Sequence, residues 1–239
     1  MSKNFGIFAV STLLLAFAIS SAFAGDVSGK INFKGAKPAV QMIKMDADKT
    51  CMQIHKGKAV ESEQVVVNSN NTLQWVFVYV KNAPKGGVAA TTPVTLTQKG
   101  CMYTPHVFGI MTNQPLNIVN GDPLMHNIHA LPVINTKFNQ AQVNTAAKMM
   151  SKPIEKKFDK PELNIKIKCD VHGWMSAYMN VMDNPYFAVS DDKGNFTIKG
   201  LPAGNYDVVA FQEKYGEQTI KVHVGATPVT NADFTYTGK

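Results

Sequence analysis

The chain has no arginine. Its 24 basic residues are all lysines, set against 17 Asp+Glu, and the formal charge is +7 over 239 residues. Without guanidinium forks it lacks the groups that read base edges and grip phosphates in pairs, so nucleic acid is not the expected partner of this basic protein. Charged residues are scarce at 17%, and hydrophobic residues reach 45%. That balance excludes a disordered chain, a coiled coil and a collagen-like repeat. Cysteine is rare as well. Three are present, an odd number that leaves one pair and one thiol with a separate task. Hydrolase chemistry has no foothold: no G-x-S-x-G elbow, nucleophile–base pair or carboxylate pair stands out, and the chain is expected not to be an enzyme. After the N-terminus, no uninterrupted apolar run approaches the roughly 20 residues of a membrane span.

The N-terminus reads as an export signal over residues 1–24. Lys3 is its positive charge, Phe5 to Ile19 its apolar stretch, and Ala22-Phe23-Ala24 its small-x-small cleavage site. Cleavage after Ala24 would deliver the mature chain to the periplasm or the exterior, where disulfides persist.

Most of the rest alternates like strand. Val27, Gly29, Ile31 and Phe33 interleave with Ser28, Lys30, Asn32 and Lys34, and Phe196, Ile198, Tyr206, Val208, Ile220, Val222 and Val224 repeat the pattern late in the chain. Trp75 to Val80 is apolar on both faces, the mark of a central strand. Turn residues such as Asp192-Lys193-Gly194-Asn195 separate the runs. Helix is expected only within Gln140 to Met150. The fold class is therefore all-β, built of sandwiches.

The stretch richest in chemistry is Cys169-Asp170-Val171-His172-Gly173-Trp174-Met175. A thiolate, an imidazole and a thioether at spacing C-x2-H-x2-M suit copper, and one upstream His completes the His2Cys set with a weak axial Met. Composition alone would produce that triple only about 0.004 times per chain. Strand phase selects the upstream His. His126 is in register with Ile128 and points inward, whereas His129 is out of phase; Cys169 is in register with Ile165 and Ile167. Zinc competes for the same donors, though no fourth Cys, His or carboxylate stands at matching spacing.

These residues resemble a cupredoxin of the plastocyanin and amicyanin branch. The His126-Asn127 pair, the short C-x2-H-x2-M loop and the Tyr103-Thr104-Pro105 segment before Val107 and Ile110 carry the likeness, over about Val94 to Asp183. It implies a Greek-key sandwich, one type 1 copper with His126, Cys169 and His172 in the plane and Met175 axial, and an Asn127 that hydrogen-bonds across to the ligand loop. It also implies that electrons leave through the His172 edge; the sequence neighbours Gly173, which leaves that edge uncovered, and the apolar Trp174, Met125, Leu131 and Pro132 are expected to ring it. Asn113-Gln114-Pro115 departs from the family's usual turn.

From Pro185 to Tyr236 the chain resembles a carboxypeptidase regulatory-like, or transthyretin-like, β-sandwich. Asp191, Gly194, Phe196, Ile198, Leu201, Pro202, Gly204 and Tyr206 carry that likeness. The segment is too short for a whole sandwich, and Gly29 to Phe33 with Trp75 to Val80 supply the missing strands. The expected organisation is a signal peptide at 1–24, N-terminal strands of a split sandwich at 25–90, a copper module at 91–183 and the remainder of the sandwich at 184–239. Two consecutive domains are the alternative.

Cys51 and Cys101 are left over and pair as a disulfide in an exported chain. Their rival role is an accessory metal site with His55 and His106. Lysines gather between Lys148 and Lys168 as a solvated edge or as a rim that steers an acidic redox partner. The function expected is an exported blue-copper electron carrier. Copper delivery without redox turnover, and a structural β-module, are the alternatives.

Overall fold

The computed structural model describes residues 24–87, 90–144 and 152–238. The signal-peptide reading, Lys148 and most of the expected helix lie outside them. Strands dominate, and they form two sandwiches.

In the first sandwich, Val94–Lys99, Leu116–Asn120, Met102–Thr104 and Ile154–Lys156 form a four-stranded sheet. Facing it, Phe138–Gln142, His126–Leu131, Glu162–Lys168, Ser176–Met182 and Val107–Met111 form a five-stranded one in that order. Leu96, Ile118, Ile128, Ile165, Ile167 and Met179 fill the space between, all at most 1% exposed. Each comes from a strand of alternating pattern, so one face goes to the core and the other outward.

The second sandwich draws strands from either side of the first in sequence. Ala24–Lys34 lies between Asn195–Pro202 and Phe234–Thr237. Opposite, Phe77–Val80 lies between Phe187–Val189 and Gly204–Gln212, with Gly216–Val224 at the edge. Ile31, Phe33, Val78, Val80, Phe196, Ile198, Val208 and Tyr236 form its core.

The both-faces apolarity near Trp75 has a specific cause. Val78 and Val80 enter the second core, while Phe77 and Tyr79 point the other way, onto Val107, Met182 and Val209. All four are buried because the second sheet is covered by the first sandwich as well as by its own partner sheet. Gly109 sits at that contact. A Cβ there would stand 2.5 Å from Phe187 and 2.8 Å from Phe77. Gly109→Ala is expected to destabilise the protein by about 1–3 kcal/mol through overpacking, read as a lower urea midpoint at unchanged slope.

Two local expectations need correction. Gln140 to Gln142 are the end of the strand Phe138–Gln142, not helix. The one helix among the described residues is Lys49–Ile54, capped by Asp48, whose side chain accepts from the Thr50 and Cys51 amides. Cys51 in that helix is bonded to Cys101 at 2.06 Å. Both thiols are thus consumed and the accessory metal site is excluded; His55 instead contacts the Gly100 carbonyl at 2.7 Å. No helix among the described residues is long and apolar enough to cross a membrane.

Candidate metal centre

The strand His126–Leu131 lies next to Glu162–Lys168 in the five-stranded sheet, so His126 and Cys169 sit at one end of the first sandwich. His126, Ile128 and Ala130 are fully buried in alternation. His129 faces outward and meets the Asp170 carboxylate at 3.0 Å. The chain after Cys169 turns tightly: the Met175 amide donates to the His172 carbonyl at 2.9 Å, and the Cys169 amide donates to the Met175 carbonyl at 3.3 Å. This closed loop returns His172 beside Cys169 and leaves Met175 fully buried in the core.

Three donors converge there. The Nδ1 atoms of His126 and His172 are 3.0 Å apart, and Cys169 Sγ is 3.7 Å from His172 Nδ1. One donor atom from each of the three residues lies within 4.8 Å of the others, and all three residues are buried. Two ring nitrogens and a sulfur directed at one another fit a soft or borderline cation.

Asn127 organises the loop. Its Oδ1 accepts from the Asp170 amide at 2.6 Å, the Val171 amide at 3.4 Å and the Cys169 thiol at 3.2 Å. The Tyr103 hydroxyl donates to the Asn127 carbonyl at 2.5 Å, which anchors the backbone beneath it. Burial pushes the Cys169 thiol up, but hydrogen bonds from the His126 side chain and the Asn127, His172 and Val171 amides outweigh it and bring the thiol down to about 6. The site therefore favours thiolate, the form that binds metal.

Two carboxylates hold the outer edges of the rings, and sequence reasoning missed both. Asp122 Oδ2 lies 2.9 Å from His126 Nε2. It also accepts from the Cys101 amide, and Asp122 Oδ1 accepts from Gly100, each at 2.8 Å. Burial raises the Asp122 carboxyl, yet the His126 contact and these amides hold it below its ordinary range. Burial opposes charge on His126, and its Asp122 and Cys169 contacts more than offset that and raise it. Asp48 Oδ2 stands 3.3 Å from His172 Nε2. Carboxylates behind ligating imidazoles fix which nitrogen faces the metal. The one available signal was Asp122 four residues before His126; nothing local marks Asp48.

The expected surface patch is only partly assembled. His172 is 1% exposed, its outer edge covered by Asp48. The imidazole therefore does not reach the surface beside Gly173. Met125 is 42% exposed next to His126. Trp174 is half-buried, with its ring centre 5.2 Å from that of His172 and its Nε1 donating to the Cys101 carbonyl at 3.0 Å. Leu131 and Pro132 do not join them. Five residues of extended strand carry Leu131 about 17 Å from His126.

The lysine rim is also displaced. Lys156 pairs with Leu116, at the opposite end of its strand from Asn120 and the His126 turn. Its ammonium sits 4.8 Å over the Phe138 ring. The Lys160 amide donates to Asn135, whose own amide is held by Glu162. Glu162 is thus a buried staple for that far loop. Lys168 does lie beside the ligand loop, 2.8 Å from Asp170.

No protein-family model and no curated protein matches the chain in sequence. Among solved structures, a copper-containing nitrite reductase from Thermus scotoductus is 19% identical and covers 42% of this chain, with a TM-score of 0.34. This chain spans about a quarter, 26%, of that protein's length. A purple cupredoxin from Nitrosopumilus maritimus is 20% identical over 37% of this chain and 98% of its own, with a TM-score of 0.30. A Cu(I) amicyanin variant is 10% identical over 44% and 97%, with a TM-score of 0.31. Overlaps of this size leave fold and site to be judged from the chain itself.

Proposed function

We propose that the protein is an exported electron carrier of the cupredoxin kind, with one copper held by His126, Cys169, His172 and Met175. The observation that carries this reading is the buried convergence of two Nδ1 atoms and one cysteine sulfur. When bound, copper supplies a one-electron Cu(II)/Cu(I) couple. The chain's own residues hold the donors still. Asn127 fixes the loop, and Asp122 and Asp48 fix the two rings from behind. Donors with 0–1% exposure offer no opening for substrate, which favours electron transfer over catalysis and retention over delivery. The Cys51–Cys101 disulfide suits an oxidising compartment, in keeping with export.

Met175, fully buried beside the loop, would supply copper with a fourth, weak donor. Met175→Leu is expected to keep copper bound and raise the reduction potential, because a weak donor that favours Cu(II) is lost. Protein-film voltammetry measures it, and an unchanged potential contradicts the assignment.

The electron's way out passes through Trp174 and not directly from the covered His172 edge. Met125 and Trp174 form the contact surface for a redox partner. Lysines near the ligand end then supply steering toward an acidic partner. Lys49 follows Asp48, and the Lys99 side chain passes close to Gly121. Lys49→Glu with Lys99→Glu is expected to slow association at low salt and to matter little at high salt. Lys156→Glu with Lys157→Glu is expected to leave it unchanged. Stopped-flow electron transfer at two ionic strengths separates the two pairs, and a larger effect from the second pair would contradict this placement.

A further inference from the structure

The end of the first sandwich opposite His126 carries a built loop that the copper site does not use. Residues 132–137 leave the strand His126–Leu131 and enter Phe138–Gln142. Val133 is 91% exposed and Ile134 56%. Among the described residues they are the one pair of consecutive large hydrophobic side chains left in water. Single apolar residues are scattered over most surfaces, whereas adjoining ones begin a patch.

The loop is held in place. The buried Glu162 carboxylate accepts from the Val133 amide, and from the Asn135 amide and side chain, each at 2.9 Å. Asn135 also donates to the Lys160 carbonyl at 2.9 Å and accepts from the Lys160 amide at 3.2 Å. Burial pushes the Glu162 carboxyl up, but the Asn135 side chain and the amides of Asn135, Val133 and Ile134 outweigh it and hold the group below its ordinary range. A buried carboxylate is costly to desolvate, and here it fixes the backbone of the two residues whose side chains stand in water.

The neighbouring charges are mostly positive. Lys137 and Lys160 are exposed; the first lies two positions after Asn135 and the second is bonded to it. Lys157 is exposed and precedes Phe158, whose ring centre is 6.3 Å from that of Phe138. Asp159 is the one exposed acid in residues 132–138 and 156–161.

Shape and charge together select the occupant. A tip of two side chains is convex and falls far short of the roughly 800 Å² per partner of a stable protein interface. A second copy would bring the same lysines face to face. A lipid interface needs no matching surface. It takes aliphatic side chains into its headgroup region, while lysine stems run alongside and their ammonium groups meet anionic headgroups.

We propose that the Val133–Ile134 tip, flanked by Lys137 and Lys160, is a docking surface for an anionic lipid bilayer. Bound in this way, the first sandwich stands with its His126 end turned away from the membrane, open to a partner in solution. Docking does not depend on copper.

Co-sedimentation of the mature protein with vesicles of phosphatidylcholine, alone or with about one third phosphatidylglycerol, tests it at low and high salt. At low salt, anionic vesicles are expected to bind about tenfold more tightly than neutral ones, and high salt should remove most of the difference. Val133→Ser with Ile134→Ser should weaken binding to anionic vesicles about tenfold. Lys137→Gln with Lys160→Gln should remove most of the preference for them. All four side chains are exposed, so near-UV circular dichroism should not change. Copper-free and copper-loaded protein should bind alike, which separates this result from any failure of the copper centre. No binding to anionic vesicles at millimolar lipid overturns the proposal, as does equal binding to neutral ones or binding that the serine pair leaves untouched. Self-association in sedimentation velocity that the serine pair abolishes also overturns it; the tip is then an interface between two copies.

Discussion

Cys169→Ser is expected to abolish the intense thiolate-to-copper absorption at about 600 nm completely, since that band requires the sulfur donor. The fold should survive. Serine is nearly isosteric, and its hydroxyl can donate to Asn127 Oδ1, as the thiol does at 3.2 Å. Both cores are built from other residues, so the stability change should be about 1 kcal/mol or less. Urea unfolding and absorption on one sample measure the two effects together. A variant that keeps the band would exclude Cys169 as a ligand.

Replacing Cys51 and Cys101 together with alanine is expected to have the largest effect on stability. The bridge spans 50 residues, and loop-closure entropy alone assigns it about 4 kcal/mol. Its removal should also act on the site. The short helix Lys49–Ile54 holds Asp48 against His172, and Cys101 lies in the turn whose amides are bound by Asp122. Both ring supports thus lean on one crosslink. Urea unfolding should show the loss, and reduced wild-type protein should match the double variant. A loss below about 1 kcal/mol would mean that packing of Met45 and Met52 alone holds the helix.

Much of the centre was legible because its parts are local. Cys169, His172 and Met175 lie within seven residues, and the hydrogen bonds of the Met175 and Cys169 amides close that loop on itself. His126 was separable from His129 by the two-residue strand period, which survives folding because His126 and Ile128 share the core face. Asp48 was invisible for the opposite reason. It is brought to His172 across 124 positions by a six-residue helix that no hydrophobic period announces. The surface patch failed on strand length. Leu131 and Pro132 follow His126 closely in sequence, yet an extended strand carries them to the far end of the sandwich. Lys156 was misplaced likewise, because Ile154–Lys156 pairs with the end of Leu116–Asn120 remote from His126. The apolar faces of Phe77–Val80 were read correctly, but their cause, one sandwich stacked on another, was not contained in the strand.

The proposed function requires that His126, Cys169 and His172 bind a single copper through nitrogen and thiolate. The most direct test is the absorption spectrum of the mature protein titrated with Cu(II). The predicted result is an intense band at about 600 nm that saturates at one copper per chain, as expected for a His2Cys centre. Weak ligand-field absorption without that band, or no uptake of copper, would contradict it.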